Sequence, residues 1–292
     1  MRILVTGSEG RLCKSILIPY LKRFTKYEII PFDLILGHNM LDYDSVMQKL
    51  DGVDVVIHAA GVAGPMRAKR KTDFAKINTN GTKNMLECSA KASVGKFIFF
   101  SSMSYYGTDA WMRYRRETGA IKGEDVAVPL YLPIDEDHPS ILTRDCDKLT
   151  EYNGKYYGMS KAKVYEMAKS GDFPFDFISL RFAGFTSTPF RKIKSQLELM
   201  KKEAAKGIVR MRKHAVYRLS GITTNRIMKA AIRAVLEGKT EEKVSAFNTC
   251  EVLSLGNAAS AYFPGVPQKK NGYIFSNEKL LNLFNEMKVK LE

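Results

Sequence analysis

Long hydrophobic runs are missing from this 292-residue chain, and cysteine is scarce. No apolar run approaches the roughly 20 residues of a membrane-spanning helix, and the N-terminus enters a strand pattern at once, so we expect neither a membrane span nor a signal peptide. The four cysteines, Cys13, Cys88, Cys146 and Cys250, form no Cys-x-x-Cys pattern and no pairing with histidine. We therefore predict free thiols, no bound metal and a cytoplasmic protein.

Acidic residues are fewer than basic ones: the chain has 31 Asp and Glu and 46 Lys and Arg, which gives a net charge of +15. Basic clusters lie at residues 67–71, 113–116, 192–194, 201–202 and 210–213. Most of these charges are typical of a solvated surface, and a second interpretation is a field that attracts anionic small molecules such as dinucleotides and nucleotide sugars. Nucleic acid is the less favoured partner, because the basic residues are not interleaved with aromatic ones as in a known binding module.

The N-terminal segment has the order strand, glycine turn, helix. Residues 2–6 are apolar, a Gly-Ser-Glu-Gly turn runs from Gly7 to Gly10, and an apolar helical pattern continues through Leu21. This order is the context of a dinucleotide fingerprint, in which Gly7 permits a tight turn and Gly10 lets backbone N–H groups approach a pyrophosphate. Cys13 replaces the usual third glycine, and it is small enough for the helix to pack closely on the strand.

Asp33 follows the predicted second strand, residues 27–32. A carboxylate here can accept hydrogen bonds from both ribose hydroxyls of NAD, and it repels the extra phosphate of NADP. Leu41 and Asp42 lie where a third strand is expected to end, and they can flank the adenine. We therefore predict NAD as the cofactor, with a polar cap on the strand end as the alternative role of Asp33.

Strands and helices continue to alternate beyond this point. A buried apolar strand leads into the small residues Ala59, Ala60 and Gly61, a helix carries Asn78, and the strand at 96–100 runs into a serine pair. Ligand-facing residues at strand carboxyl ends predict an α/β fold of Rossmann type, a doubly wound parallel sheet. At the end of the strand before Ala59, we expect His58 to pack under the cofactor rather than to catalyse.

Tyr157 and Lys161 are four residues apart, so on a helix they lie on one face and can meet the same ligand. A free Tyr titrates near about 10, and a nearby Lys cation favours the phenolate, which brings the Tyr pKa closer to that of a useful base. The same spacing recurs at Tyr165 and Lys169. A solvated helix face is therefore the alternative interpretation of this pattern.

Together these residues resemble the short-chain dehydrogenase/reductases, and most closely their extended branch, the NAD-dependent epimerases and dehydratases. The matching motifs are Thr6-Gly7-x-x-Gly10, Asp33, His58-Ala-Ala-Gly61, Asn78-x-x-Gly81-Thr82, Ser101-Ser102-x-x-x-Tyr106-Gly107, Tyr157-Gly-x-Ser-Lys161 with Glu166, and Leu180-Arg181. The resemblance covers residues 1–190. It implies a Rossmann domain at 1–180 with an insertion at 108–152, and a smaller, mostly substrate-binding region at 181–292, some of which returns to the main domain.

The resemblance also implies roles for individual residues. Tyr157 is expected to be the general acid/base on a substrate hydroxyl, Lys161 to hold the nicotinamide ribose, and Ser102 to bond the reacting oxygen. The implied substrate contacts are Ser102, Ser104, Arg181 and Arg218, with plain surface charge an equal alternative for Arg218. The implied cofactor-binding residues are Gly7, Gly10, Arg11, Leu12, Asp33, Leu41, Asp42, Ala59, Ala60, Gly61, Asn78, Ser101, Tyr157 and Lys161.

The chain departs from the family pattern in its substrate-facing parts. Ser102-Met103-Ser104 replaces the Thr-Asp-Glu of the dehydratases, so elimination of water lacks its acids. After Leu180-Arg181 the chain reads Phe182-Ala-Gly184, where nucleotide-sugar enzymes carry an Asn. Thr224-Asn225 replaces an Asp that follows the diphosphate-binding Arg. The segment between residues 107 and 157 is long and rich in charge, which is typical of a functional lid.

The C-terminal part is expected to hold helices at 190–206, 224–237 and 276–291, strand-like segments at 208–222, and a structural strand at 247–249. Relatives in the family usually dimerise through helices here placed at 72–92 and 150–170. A homodimer is therefore implied, to which Val164 and Met167 contribute if they point outward. Packing of these two residues on the sheet is the alternative.

These features favour an NAD-dependent isomerase of carbohydrate metabolism that takes an anionic substrate, most specifically a nucleotide-sugar (UDP-hexose) 4-epimerase. An oxidoreductase acting on a sugar or other polyol uses the same catalytic residues and is a close alternative. A non-catalytic NAD-binding sensor or scaffold is an alternative of another class. Retention of both Tyr157 and Lys161 argues for catalysis.

Overall fold

The computed structural model describes residues 1–24, 26–62, 70, 72–107, 130–143, 153–185, 221–240, 242–252, 254, 266–270, 273 and 275–291. The predicted helix at 190–206, the strand-like residues 208–220 with Arg218, most of the insertion at 108–152, and Cys146 lie outside these ranges. The chain forms two compact units. Unit 1 comprises Met1–Ser101, Tyr152–Leu180 and Val235–Ala246, and unit 2 comprises Ser102–Glu151, Arg181–Ala234 and Phe247–Glu292.

Strands and helices alternate along the chain, as the sequence predicts. The strands are β1 (Arg2–Thr6), β2 (Glu28–Phe32), β3 (Val55–His58), β4 (Lys96–Ser102), β5 (Asp176–Phe182), β6 (Gly184–Phe185), β7 (Gly221–Thr223), β8 (Val244–Thr249) and β9 (Glu251–Val252). The α-helices are α1 (Ile18–Phe24), α2 (Tyr43–Leu50), α3 (Thr82–Lys91), α4 (Asn153–Ser170), α5 (Asn225–Glu237) and α6 (Glu278–Glu286). A π-helical segment precedes α1 (Cys13–Leu17) and another precedes α3 (Phe74–Gly81). Short 3₁₀ turns span Leu34–Leu36, Met103–Tyr106 and Ile141–Thr143.

Unit 1 is built on a six-stranded sheet with the strand order β2-β1-β3-β4-β5-β8, whose last three strands continue into unit 2. β1 pairs in parallel with β2 on one side and β3 on the other, so that Thr6 lies opposite both Phe32 and His58. The chain moves outward from β1 to β2 and then returns to the other side at β3. This is the switch point at which doubly wound sheets bind ligands. The predicted Rossmann-type fold is confirmed.

Strands β1, β3, β4 and β5 are almost wholly buried, as expected for a parallel sheet covered on both faces, whereas the edge strand β2 buries only Phe32. Phe97 stacks on Phe175 and Phe177 with ring centroids 5.6 and 5.8 Å apart. Helix α4 adds Val164, which is fully buried in this cluster, and Met167 packs against it. Burial of an aliphatic side chain of this size contributes roughly 1.5–3 kcal/mol. The sequence left open whether Val164 and Met167 point outward or pack on the sheet, and the structure shows that they pack on the sheet.

The prediction of a third strand that ends at Leu41 and Asp42 is wrong. The chain instead makes the 3₁₀ turn Leu34–Leu36 and then enters α2. Asp42 is the N-cap of this helix, and its carboxylate accepts hydrogen bonds from Asp44 N–H at 3.0 Å and Ser45 N–H at 3.2 Å. A carboxylate at this position satisfies amides that have no partner inside the helix, so a helix start prevails over an extended strand.

Unit 2 contains a small sheet with the order β6-β7-β9, in which β6 pairs in parallel and β9 antiparallel with β7. Its buried hydroxyls are paired: Thr223 Oγ1 donates to Thr249 O at 2.7 Å and accepts from Ala183 N–H at 2.9 Å. The predicted C-terminal helices are present at α5 and α6. Among the described residues, no helix is both long enough and apolar enough to cross a membrane.

A buried histidine joins three segments of unit 1. His58 Nδ1 is 2.8 Å from Thr6 Oγ1, and its Nε2 is 2.9 Å from Thr82 Oγ1. Thr82 gives its own hydrogen to Asn78 O, so it accepts from His58, whereas Thr6 accepts from Ala60 N–H and donates to His58. The ring is therefore the neutral tautomer with its proton on Nε2. Burial, with Lys161 as a second cause, lowers the pKa of His58 to about 3.

This arrangement predicts acid sensitivity. The unfolded state binds a proton on His58 below about pH 6.5, and the folded state does not do so until near its lowered pKa, so stability is lost on acidification through that window. Between pH 7 and 5 we expect the free energy of unfolding of the wild type to fall by about 2 kcal/mol more than that of His58→Gln, in urea titrations. The half-buried His38, replaced in the same way, should produce a smaller difference. Parallel pH curves for wild type and His58→Gln would contradict the assignment.

Candidate active site

The glycine turn after β1 holds the carboxyl ends of β1 and β3 close together. Gly7 has φ +67°, and a Cβ there would lie 2.9 Å from the backbone of Ala60, closer than real contacts allow. Only glycine adopts this conformation without strain. Gly10 N–H donates to Gly7 O at 3.0 Å, and Lys14 N–H donates to Gly10 O at 2.9 Å as the helical segment begins. The turn thus ends in backbone amides at a helix start, where anions bind.

Asp33 lies beside this turn and is half-buried. Its Oδ2 accepts from Glu9 N–H and its Oδ1 from Ile35 N–H, both at 3.0 Å. Each oxygen keeps a further lone pair, so the carboxylate can still accept two hydroxyls. Within the turn, Ser8 is fully buried and its hydroxyl has no hydrogen-bond partner among the described residues. Amide donors, a buried hydroxyl and a carboxylate are a set that suits the pyrophosphate and ribose of NAD.

The remaining predicted cofactor residues in this part of unit 1 differ in exposure. Arg11, Leu41 and Asp42 are exposed, and Leu12 is half-buried. The Asp42 carboxylate is engaged at the start of α2, as described above. Cys13, in the place of the third glycine, is buried, and burial raises the pKa of its thiol to about 12. Contact of these side chains with the cofactor stays a prediction.

After β3, Ala59 and Ala60 are half-buried and lead into Gly61, which has φ +138°. A Cβ on Gly61 would lie 2.8 Å from Asn78 Oδ1, so the glycine allows the amide of Asn78 to approach. Asn78 Oδ1 accepts from Val62 N–H at 2.7 Å, and its Nδ2 donates to Val62 O at 3.2 Å. The side chain of Asn78, predicted to bind the cofactor, here holds the chain that follows β3.

Asn78 also connects this loop to helix α4. Its Nδ2 donates to Ser160 Oγ at 3.4 Å, and the Ser160 hydroxyl donates to Tyr157 O at 2.7 Å. The ring of Phe74, on the π-helical segment before α3, packs edge-on against Tyr157 with centroids 5.8 Å apart. These contacts fix the part of α4 that carries the predicted acid/base.

Tyr157 and Lys161 share one face of α4, as their spacing predicts. Lys161 Nζ lies 5.7 Å from the centroid of the Tyr157 ring and 4.6 Å from that of Phe99. The ammonium donates to Phe100 O at 2.8 Å. This bond anchors the amine to the carboxyl end of β4. Ser101, the next residue of that strand, is buried, and its hydroxyl has no hydrogen-bond partner among the described residues.

Lys161 is buried, with 7% of its surface exposed, and burial lowers its pKa to about 7. The sequence predicts a full lysine cation beside Tyr157. At neutral pH the amine is instead charged in only part of the molecules, because burial removes water from the ammonium and disfavours its charged form. A bound ligand that brings oxygen atoms to Nζ would restore the charged form.

The predicted substrate serines belong to unit 2. Ser102 ends β4, is half-buried, and its Oγ accepts from Ser104 N–H at 3.1 Å. It thereby caps the 3₁₀ turn Met103–Tyr106, and its own hydrogen can be donated to a substrate oxygen. Ser104 is also half-buried. Their contact with substrate stays a prediction.

Arg181, predicted to bind substrate, is 0% exposed in the interior of unit 2. Its Nη1 donates to Tyr106 Oη at 2.8 Å and to Glu136 O at 3.0 Å. Glu136 is not predicted from the sequence, where its position in the acidic run 135–137 of a basic chain is only a weak signal. Of the other predicted substrate residues, Arg218 lies outside the described residues. No three His, Cys, Asp or Glu side chains in the described part of the chain are grouped to hold a metal ion.

Asp33 is expected to govern the choice of cofactor. Asp33→Asn weakens the hydrogen-bond acceptor for the ribose, so we expect the affinity for NAD to fall about tenfold to 100-fold. It also removes the charge that repels the 2′-phosphate of NADP, so we expect the preference for NAD over NADP to become smaller. Fluorescence titration with both cofactors measures this. Asp44→Asn, a neutralisation at the exposed start of α2, should leave both affinities unchanged. An unchanged NAD/NADP ratio in Asp33→Asn would contradict the assignment.

The lowered pKa of Lys161 predicts a stability that rises with pH. Between pH 7 and 9 the unfolded state keeps the lysine proton and the folded state releases it, so folding is favoured as pH increases. Without cofactor, we expect the free energy of unfolding to rise by about 2 kcal/mol more in the wild type than in Lys161→Met over this range. Lys163→Met, an exposed control on the same helix, should follow the wild type. A Lys161→Met curve that also follows the wild type would disprove the low pKa.

Known proteins resemble this chain in sequence and in structure. An uncharacterised protein 052L of Frog virus 3 is 29% identical over 122 residues, which is 37% of this chain and 34% of that protein. The chain thus aligns with about a third of the length of this curated relative. A short-chain dehydrogenase/reductase superfamily protein of Agrobacterium tumefaciens, solved with bound NAD, superposes with a TM-score of 0.58 at 21% identity, covering 100% of this chain and 93% of that one.

A UDP-glucose 4-epimerase of Thermotoga maritima, solved with UDP-glucose, has a TM-score of 0.58 at 15% identity and covers 97% of this chain and 92% of its own. At such identities these similarities show the fold. The family itself is shown by a sequence model described as the NAD dependent epimerase/dehydratase family, which matches residues 3–194. This match contains the glycine turn, Asp33, Tyr157, Lys161 and Arg181. The chain therefore belongs to the NAD dependent epimerase/dehydratase family, a family of enzymes whose cofactor is NAD.

Proposed function

We propose that this protein is an NAD-dependent enzyme that interconverts nucleotide sugars, most specifically a UDP-hexose 4-epimerase. The observation that carries the proposal is the intact pair on α4, with Lys161 Nζ anchored 2.8 Å from Phe100 O and 5.7 Å from the Tyr157 ring centroid. A chain that used NAD only as a structural ligand has no need of a buried amine next to a tyrosine, because burial of the amine destabilises its charged form.

The residues divide the chemistry between them. Tyr157 takes the proton from the substrate C4 hydroxyl as that carbon is oxidised, and returns it when the hydroxyl forms again. Lys161 holds the nicotinamide ribose and, when charged, stabilises the phenolate. Ser102 donates a hydrogen bond to the oxygen that becomes a carbonyl. NAD supplies the hydride acceptor.

Charge supports an anionic substrate. The net charge of +15 raises the local concentration of anions such as nucleotide diphosphates. Ser102-Met103-Ser104 lacks the acids that elimination of water requires, which disfavours dehydration. A homodimer and a cytoplasmic location are part of the proposal. The family resemblance supports the first, and scattered cysteines, three of which are free and buried in the described residues, support the second.

A second candidate is a dehydrogenase of a sugar or other polyol. The observation that favours it is the sequence at the end of β5, where the chain reads Phe182-Ala183-Gly184 instead of the Asn that nucleotide-sugar enzymes use. Ala183 N–H is bonded to Thr223 Oγ1 at 2.9 Å, so this segment is tied into the small sheet of unit 2. Both candidates use Tyr157 and Lys161 in the same way, and they differ in whether the hydride returns to the substrate.

Tyr157→Phe tests the proposal, because it keeps the ring packed on Phe74 and removes the acid/base. We expect the rate of UDP-glucose and UDP-galactose interconversion to fall by about 10²–10⁴-fold, while NAD still binds. Product analysis by chromatography, with absorbance at the reduced-nicotinamide band, measures both conversion and net NADH.

Tyr165→Phe is the matched control, since Tyr165 has the same Tyr-x-x-x-Lys spacing on α4 but packs against the core beside Phe177. It should keep the wild-type rate. Stoichiometric accumulation of NADH with an added sugar would replace the epimerase by the dehydrogenase. NAD binding without conversion of any UDP-hexose, sugar or polyol by the wild type would favour the sensor.

A further inference from the structure

The 3₁₀ turn Met103–Tyr106 follows Ser102 directly, and a buried arginine lies against it. Arg181 is the largest of the fully buried side chains in the described part of the chain. Its guanidinium carbon lies 3.8 Å from the centroid of the Tyr105 ring and 5.2 Å from that of Tyr106. Both tyrosines of the turn are therefore in contact with one cation, which gains energy from their ring faces.

Two hydrogen bonds fix the orientation of the Tyr106 side chain. Arg181 Nη1 donates to Tyr106 Oη at 2.8 Å, and the Tyr106 hydroxyl donates to Asn248 Oδ1 at 2.6 Å. Burial raises the pKa of Tyr106, so the phenol keeps the proton that it donates. The ring cannot move without breaking two buried hydrogen bonds, which is costly because a buried polar group left without a partner is destabilising.

Other strands and loops of unit 2 hold Asn248 in turn. Its Nδ2 donates to Ile134 O at 3.1 Å and to Ser276 O at 2.9 Å, and its backbone N–H donates to Glu136 Oε1 at 2.5 Å. Glu136 closes the network, since its carbonyl accepts from Arg181 at 3.0 Å. The turn is thus connected, through consecutive donors and acceptors, to segments distant in sequence.

The rest of the turn is held by short-range hydrogen bonds and by packing, which includes His138 edge-on against the Tyr106 ring with centroids 5.7 Å apart. Within it, Ser104 N–H donates to Ser102 Oγ at 3.1 Å and Gly107 N–H donates to Ser104 O at 3.1 Å. Gly107 has φ +71°, and a Cβ there would lie 2.9 Å from the side chain of Ile141. Through Ser104 N–H, the Ser102 hydroxyl is therefore linked to the turn whose two tyrosines contact Arg181.

We propose that Arg181 is a positioning residue of the reaction, which orients the Ser102 hydroxyl through Tyr105 and Tyr106, with Glu136 and Asn248 as its support. This replaces the substrate contact that the sequence predicts for Arg181, because the guanidinium is fully buried and bonded to protein groups. A buried charge in place of an apolar side chain is costly, and a fixed geometry is one property that it can supply in return. The inference rests on the proposed function in so far as Ser102 acts on the substrate.

The first experiment is amide hydrogen exchange on Arg181→Lys, read by NMR or by peptides that cover residues 102–107. Lysine keeps the positive charge but loses the planar group that contacts Tyr105, Tyr106 and the Glu136 carbonyl together. We expect the amides of Ser104 and Gly107 to exchange at least about tenfold faster, with exchange in β1 and β3 unchanged. Tyr106→Phe, which removes one hydroxyl, should give the same local effect and is used if Arg181→Lys does not fold.

The matched control is Arg226→Lys, which weakens another arginine–glutamate pair of unit 2. Arg226 Nε and Nη2 donate to the carboxylate of Glu251 at 2.8 and 2.6 Å. Neither residue takes part in the hydrogen bonds described above that connect Arg181 to the turn. Arg226→Lys should leave exchange at Ser104 and Gly107 unchanged. Equal acceleration there in Arg226→Lys would show a general loosening of unit 2 and overturn the proposal, as would wild-type exchange in folded Arg181→Lys or Tyr106→Phe.

Kinetics supply the second readout. In the epimerase assay we expect kcat to fall tenfold or more in Tyr106→Phe, with the affinity for NAD within twofold of wild type. If Arg181 and Tyr106 only stabilised the fold, kcat per folded molecule would be unchanged in this variant. That result would disprove the inference. If the wild type converts no UDP-hexose, the proposed function fails by itself. The exchange measurement then still decides whether Arg181 holds the turn.

Discussion

The close approach of β1 and β3 at their carboxyl ends is the constraint on which the rest of unit 1 depends. Gly7 lies against the backbone of Ala60, where a Cβ would be 2.9 Å away, and His58 bonds Thr6 across the same gap. Because β1 and β3 flank the switch point of a doubly wound sheet, this contact lies at the place where such sheets bind ligands. Asp33, Asn78 and α4 are then positioned by bonds to segments that leave this point.

Burial of ionisable groups is the second common feature, and its consequences differ with the partners available. His58 has two hydroxyl partners and remains neutral, with its pKa lowered to about 3. Lys161 has one carbonyl, and its pKa is lowered to about 7. Arg181 keeps its charge in the interior because a guanidinium is not deprotonated in proteins, and carbonyl, phenol and ring faces surround it. The first group stabilises the fold, the second can change its charge on ligand binding, and the third holds a turn.

The fold of the proposed cofactor-binding half could be predicted from the sequence because its determinants are local. A strand, a glycine turn and a helix within 24 residues, and a tyrosine and a lysine four residues apart, define their own geometry. Asp42 shows the limit even there, since a helix cap prevailed over the expected strand end. The burial of Arg181 was beyond prediction, because it depends on Tyr106, Glu136 and Asn248, which are separated by up to 142 residues along the chain. The family resemblance implied a substrate contact for Arg181, whereas in the structure its side chain bonds Tyr106 and Glu136.

This division explains why one family supports several reactions. The residues proposed to take the proton and to hold the cofactor lie on one helix and at the carboxyl ends of the strands, and the step proposed for them is the same in an epimerase and in a dehydrogenase. The outcome depends on whether the oxidised substrate is held until the hydride returns, which is a property of the groups that contact the substrate oxygen. Ser102 is the proposed group of this kind in the described residues, and it stands at the junction between β4 and the turn that Arg181 holds. A change in this turn would therefore alter the fate of the intermediate before it altered the binding of the cofactor.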